Sequence, residues 1–119
     1  MSHDAAARST RGFRVHSYAQ EDATVVECHG KLTAENAPLL KSEVREMIPN
    51  QKRIILDLQE VPMMDSSGLG TIVGLYVSAR TRRCSLELIN ANKQIRELFG
   101  ISNLLSIFEP AGRHGGRMM

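Results

Sequence analysis

The stretch Arg53-Ile54-Ile55-Leu56-Asp57-Leu58 decides the fold class, together with Met64-Asp65-Ser66-Ser67-Gly68-Leu69-Gly70 and the apolar residues that follow to Thr81. The first segment is short, β-branched and strongly apolar, the mark of an interior strand. From Ser66 to Thr81, Leu69, Ile72, Val73 and Tyr76 fall on one side of a helix, which gives it a sheet-facing surface. Cys84 to Ile89 (CSLELI) alternates in the manner of a further strand. Strand, helix and strand in that order form a β-α-β unit with parallel strands and a right-handed connection.

Working outward, Phe13 to Tyr18 and Ala23 to His29 read as two strands, with Glu21-Asp22 as a hairpin turn and Gly30 as the stop. Ala37, Leu40, Val44 and Met47 form an apolar stripe that predicts a helix from Ala34 to Ile48. Thr33 is its expected N-cap, and Pro49-Asn50 ends it. Asn92 to Phe99 is expected to be a short helix closed by Gly100 as C-cap, and Leu105 to Phe108 a final edge strand. The order β-β-α-β-α-β-α-β predicts an α/β fold, a mixed sheet packed with helices. Residues 1–12 and 110–119 are expected to be flexible tails around one domain, residues 13–109.

A chain of 119 residues suits a single core. That core is built from aliphatic residues and Met, because aromatics make up 4% and Trp is absent. The net charge of +2 and the single internal basic cluster, Arg80, Arg82 and Arg83, give no stripe of the kind that binds nucleic acid. Those arginines sit where a helix ends, and cations there complement its dipole. No stretch is long and apolar enough to span a bilayer, and the N-terminus lacks a secretory signal, so a cytoplasmic protein without membrane contact is expected. Cys28 and Cys84 lie in strand-like segments, where buried free thiols are the ordinary outcome.

Chemistry concentrates in residues 64–70. Asp65 or Ser66 can accept from the orphan amides of the helix start, and Gly68 and Gly70 let the chain turn closely against the sheet. Two hydroxyls, Ser66 and Ser67, remain to be explained. A phosphate on Ser66 would sit at the positive end of the helix and add about −1.5 to −2 charges beside Asp65. It would change the surface potential and leave the fold intact. Gly70, Gly74 and Ser78, spaced by four, share one line of the helix. They either make a smooth patch for another protein or let the helix sit tightly against its own neighbours.

Asp65-Ser66-Ser67-Gly68-Leu69-Gly70, with Gly74 after it and Ile54-Ile55-Leu56-Asp57-Leu58 before it, resembles the STAS domain (sulfate transporter and anti-sigma factor antagonist). Gly30-Lys31-Leu32-Thr33 is similar to that family's second-strand turn, and Leu98-Phe99-Gly100-Ile101 to its late helix and loop. The resemblance implies an anti-sigma-factor antagonist that works by partner switching. The unphosphorylated form binds an anti-sigma factor that is also a serine kinase, and so releases a sigma factor. Phosphorylation of Ser66 ends that binding, and a PP2C-type phosphatase reverses it. By the same carry-over, partner contacts involve Leu32, Thr33, Ala34, Asp65, Ser66, Ser67, Gly68, Gly70, Thr71, Gly74 and Ser78. Thr33 departs from the pattern, since the family often has Asp there.

Other classes find less support. A nucleophile elbow needs G-x-S-x-G, and positions 64 and 65 are Met and Asp. No His is placed by sequence to act as base, so no enzyme activity is expected, nor any cofactor. Cys28 and His29 are neighbours on a strand, point to opposite faces and cannot share a metal. Two alternatives stay open: an interaction module of a transport or stress-sensing complex, or a small-ligand or nucleotide sensor, although the chain lacks G-x-x-x-x-G-K-[ST]. The free protein is expected to be a monomer.

Overall fold

The computed structural model describes residues 5–10 and 12–101. In chain order the elements are β1 (Ala5–Thr10), β2 (Phe13–Gln20), β3 (Ala23–Gly30), α1 (Ala37–Met47) with a closing 3-10 turn (Ile48–Asn50), β4 (Arg53–Glu60), α2 (Ser66–Thr81), β5 (Ser85–Ile89) and α3 (Lys93–Ile101). The strands form one mixed sheet in the order β1-β2-β3-β4-β5. β1, β2 and β3 pair antiparallel, whereas β3, β4 and β5 pair parallel.

This order explains where the helices lie. β3, β4 and β5 advance across the sheet in one direction, so two right-handed connections put α1 and α2 on the same face. They pack side by side over Val26, Ile54, Leu56, Leu58, Leu86 and Leu88. The opposite face carries His16, Glu27, His29 and Asp57, none of them fully buried. His16 Nδ1 and His29 Nε2 approach Glu27 Oε1 at 3.4 and 3.6 Å. Cys28, one residue away, lies in the core and is thereby separated from His29. Both cysteines are free and buried, and burial pushes the Cys28 thiol up to about 12.

Several boundaries differ from the sequence expectation. Residues 1–12 were expected to be a loose tail, yet Ala5–Thr10 is an edge strand with Ala5 opposite Tyr18 and Thr10 opposite Phe13. AAARST carries no apolar alternation. Its strand state comes from the free backbone edge of β2, which only the folded sheet supplies. α1 starts at Ala37 rather than Ala34: residues 33–36 form turns in which the Thr33 carbonyl accepts from the Asn36 and Ala37 amides at 3.0 and 2.8 Å. Thr33 is therefore not the N-cap. Asn36 holds that position and donates its side-chain amide to the Lys31 carbonyl at 2.8 Å, and Pro38 fits the first turn.

α3 continues through Gly100 to Ile101, so Gly100 is not its C-cap. The expected strand at Leu105 to Phe108 and the tail 110–119 lie outside the described residues. On α2, the buried face consists of Gly68, Leu69, Ile72, Leu75 and Ala79, while Val73 and Tyr76 are only half-buried at its margin. Small, weakly polar residues such as Gly70, Thr71, Gly74 and Ser78 separate the apolar ones, so the pattern left the orientation ambiguous and packing against β5 and α1 selected it.

Candidate functional site

The site begins with a strand that stops and a loop that is held. β4 ends at Glu60, and residues 61–65 cross the end of the sheet before α2 begins. The side-chain amide of Asn92 donates to the Val61 and Pro62 carbonyls at 3.3 and 3.1 Å, and the Met64 amide donates to Gln94 Oε1 at 3.3 Å. On the other side the Leu32 amide donates to the Met63 carbonyl at 3.1 Å, and the Asp65 amide to the Leu32 carbonyl at 3.2 Å. These two bonds accompany a parallel bridge between Leu32 and Met64. Two loops from distant parts of the chain thus become a single platform.

Asp65 joins the platform to the helix. Its backbone is extended, and its Oδ1 accepts from the Gly68 amide at 3.0 Å, an N-cap bond. Its Oδ2 accepts from the Ala34 amide at 3.2 Å. One carboxylate therefore caps α2 and ties down the 32–34 turn. The cap falls to Asp65 rather than Ser66, which leaves Ser66 as the first helical residue with an exposed side chain. Ser67 is exposed as well.

Gly68 has a different reason to be there. A Cβ at this position would collide with the Leu32 carbonyl oxygen and lie 2.7 Å from Met64 Cγ. The close approach of α2 to the 32–34 turn admits no side chain. Gly70 and Gly74 contrast with it, because a Cβ on either would meet nothing within 4 Å. Among the described residues, neither is needed for close packing against a neighbour. They keep the outer surface of α2 low, in a strip that ends at Val77, 54% exposed and the single large exposed apolar side chain among the described residues.

Alongside this strip runs a groove of about 480 Å³ between α1 and α2. Ser67, Gly70, Thr71, Gly74, Leu75 and Ser78 line one side, and Lys41 and Arg45 the other. Of the residues expected at the site, Ala34, Ser66, Ser67, Gly70 and Gly74 are exposed and Thr33, Asp65, Thr71 and Ser78 half-buried, spread over the 32–34 turn and along α2. Leu32 and Gly68 stand apart. Leu32 is 0% exposed and Gly68 is buried, so they support these residues from beneath and offer a partner no side chain. Sequence reasoning did not single out Lys41, Arg45 or Val77. The i,i+4 spacing of Lys41 and Arg45 puts both on one side of α1, but only the packing of α1 against α2 aims that side at this groove.

The head of this site offers an anion partial compensation, which the neighbouring Asp65 carboxylate opposes. The first turn of α2 contains no acidic side chain, and free amides and the helix dipole favour negative charge there. A phosphorylated Ser66 would project from the helix without displacing a buried group.

The chain matches the family model described as STAS domain over residues 14–115. It is 39% identical over 82 residues to the anti-sigma-B factor antagonist of Listeria monocytogenes, an overlap of 67% of this chain and 71% of that one. Among solved structures it resembles an anti-sigma factor antagonist from Mycobacterium paratuberculosis, with a TM-score of 0.74 at 16% identity over 81% of this chain and 82% of that one. It also resembles the phosphorylated form of the Bacillus cell fate determinant SpoIIAA, with a TM-score of 0.63 at 21% identity over 77% and 84% of the two chains. At those identities the two structures speak for the fold alone.

Proposed function

Since this chain belongs to the STAS domain family, we propose that it is an anti-sigma-factor antagonist whose grip on its partner is controlled by phosphorylation of Ser66. It is a binding module of the cytoplasm rather than an enzyme. In the unphosphorylated state the corner built from residues 33–34, Ser66, Ser67 and the outer strip of α2 docks on an anti-sigma factor and frees a sigma factor. That anti-sigma factor acts as the serine kinase, and a PP2C-type phosphatase restores the docking surface.

One observation carries the reading. Ser66 is exposed on the first turn of α2 while the cap and the loop anchoring are performed by Asp65 and Gly68. A dianion can therefore be added without loss of any described bond. A docked partner would have to desolvate it beside the Asp65 carboxylate. A penalty of about 2–3 kcal/mol weakens binding roughly 30- to 150-fold, enough to separate two partners.

Calorimetry of the purified chain with the anti-sigma factor from its own cells tests this. The unmodified chain binds, the chain phosphorylated on Ser66 or carrying Ser66→Asp binds at least 30-fold more weakly, and both melt at the parent temperature. A phosphate mapped by fragmentation to Ser67 or to the termini, or a Ser66→Asp chain with parental affinity, refutes the assignment.

A further inference from the structure

The groove between α1 and α2 continues past the proposed partner corner. Beyond its main hollow lies a second one of about 250 Å³, which shares Arg45 and Ser78 and adds Arg82 at the end of α2. The two hollows adjoin at Arg45 and Ser78, and together this trough extends along most of the helix, roughly 22 Å from Ser67 to Arg82 at 1.5 Å per residue. Three cations, Lys41, Arg45 and Arg82, border it, and none of them forms an ion pair within the described residues. No acidic side chain borders it among the described residues. The opposite sheet face is contrary in charge, with Glu27, Asp57 and Glu60 around its hollow.

We infer that this trough receives an acidic helix of the protein partner, whose Asp and Glu side chains meet Lys41, Arg45 and Arg82. The inference rests on the partner-docking reading above and names the chemistry of the partner. Length and shape favour a helix over a small anion. A span of roughly 22 Å matches about four helical turns, whereas a phosphate would engage one end and leave the remaining cations alone. The bare strip at Gly70 and Gly74 allows a second helix to approach closely. Helix-in-groove docking needs such a depression, and complementary charge supplies orientation and fast encounter.

This arrangement also gives the switch its force. A dianion on Ser66 would stand next to Ser67, which lines the end of the trough, and repel the same carboxylates that the three cations attract. Phosphorylation would then act through like charge as well as through desolvation.

The test uses the intact chain and its anti-sigma factor, with affinity and association rate followed as salt is raised. The parent complex weakens with salt. The pair Lys41→Glu and Arg45→Glu, which alters two exposed side chains, binds about tenfold more weakly, associates more slowly and loses that salt dependence, while Lys41→Gln and Arg45→Gln fall between. A photoreactive residue at Thr81, which borders the second hollow, cross-links to a segment rich in Asp and Glu. Unchanged affinity and salt slope in the reversed pair, or a cross-link to a neutral or basic segment, overturns the acidic-helix inference. If Ser66→Asp still releases the partner in that case, the switch itself stands. Displacement of the partner by millimolar inorganic phosphate would identify a small-anion site and overturn the inference as well. A chain that binds no anti-sigma factor sinks both readings.

Discussion

Replacing Gly68 by Ala puts a methyl group where the carbonyl oxygen of Leu32 already lies, with Met64 Cγ at 2.7 Å and Leu32 Cγ at 3.0 Å. Met64 and Leu32 are both buried, and neither has an open side into which to swing. The backbone must move, and the oxygen that moves is the acceptor of the Asp65 amide. Overpacking of this kind costs about 1–3 kcal/mol, and a weakened backbone bond adds about 1 kcal/mol. The better helix propensity of Ala returns about 0.5–1 kcal/mol. The net is a loss of about 1–3 kcal/mol, or roughly 4–12 °C in melting temperature for a chain of this size. Gly70→Ala and Gly74→Ala have the same propensity gain and no collision. Each should raise the melting temperature by roughly 2–4 °C. Thermal and urea unfolding of the three variants, followed by far-UV circular dichroism, separates these effects. A Gly68→Ala protein as stable as the parent, or a Gly70→Ala protein that loses stability, would show that the packing argument for this corner is wrong.

Asp65→Ala should cost about 1–2 kcal/mol, because it removes both the cap of α2 and the tie to the Ala34 amide. Hydrogen exchange should quicken at the amides of Gly68 and Ala34 together, whereas a rise confined to Gly68 would deny that one carboxylate holds two loops. Burial raises the Cys28 thiol from 9.0 to about 12, so between those values the unfolded chain ionises while the folded chain keeps its proton. The unfolded state then binds fewer protons, and stability falls by about 1.4 kcal/mol per pH unit as pH rises through that window. Urea titrations at increasing alkaline pH should show the fall, and Cys28→Ala should flatten the part due to this thiol. An identical slope in the variant refutes that attribution.

Much of the fold could be read from local pattern. The strand at Arg53–Glu60, the helix at Ser66–Thr81 and the strand ending at Ile89 are consecutive, and their periodicities differ. The hairpin between Gln20 and Ala23 was equally plain: two residues must reverse the chain, and Glu21 does so with a φ of 57°. Boundaries were less legible. Residues 33–36 could have begun α1, but the anchoring of this turn to residues 63–65 holds them in turns. Nothing local in Ala5–Thr10 distinguishes it from a tail, because its partner is the backbone of β2.

By itself the sequence determined the α/β class, the parallel β-α-β unit and the hydroxyl pair at a helix start, since each depends on residues near one another in the chain. Tertiary structure alone decided that Asp65 reaches across to Ala34, that Leu32 is core rather than surface, and that Lys41 and Arg45 border the same groove as Gly70 and Gly74. Those facts follow from two right-handed connections that lay α1 beside α2, and no periodicity within either helix encodes the face it turns to its neighbour.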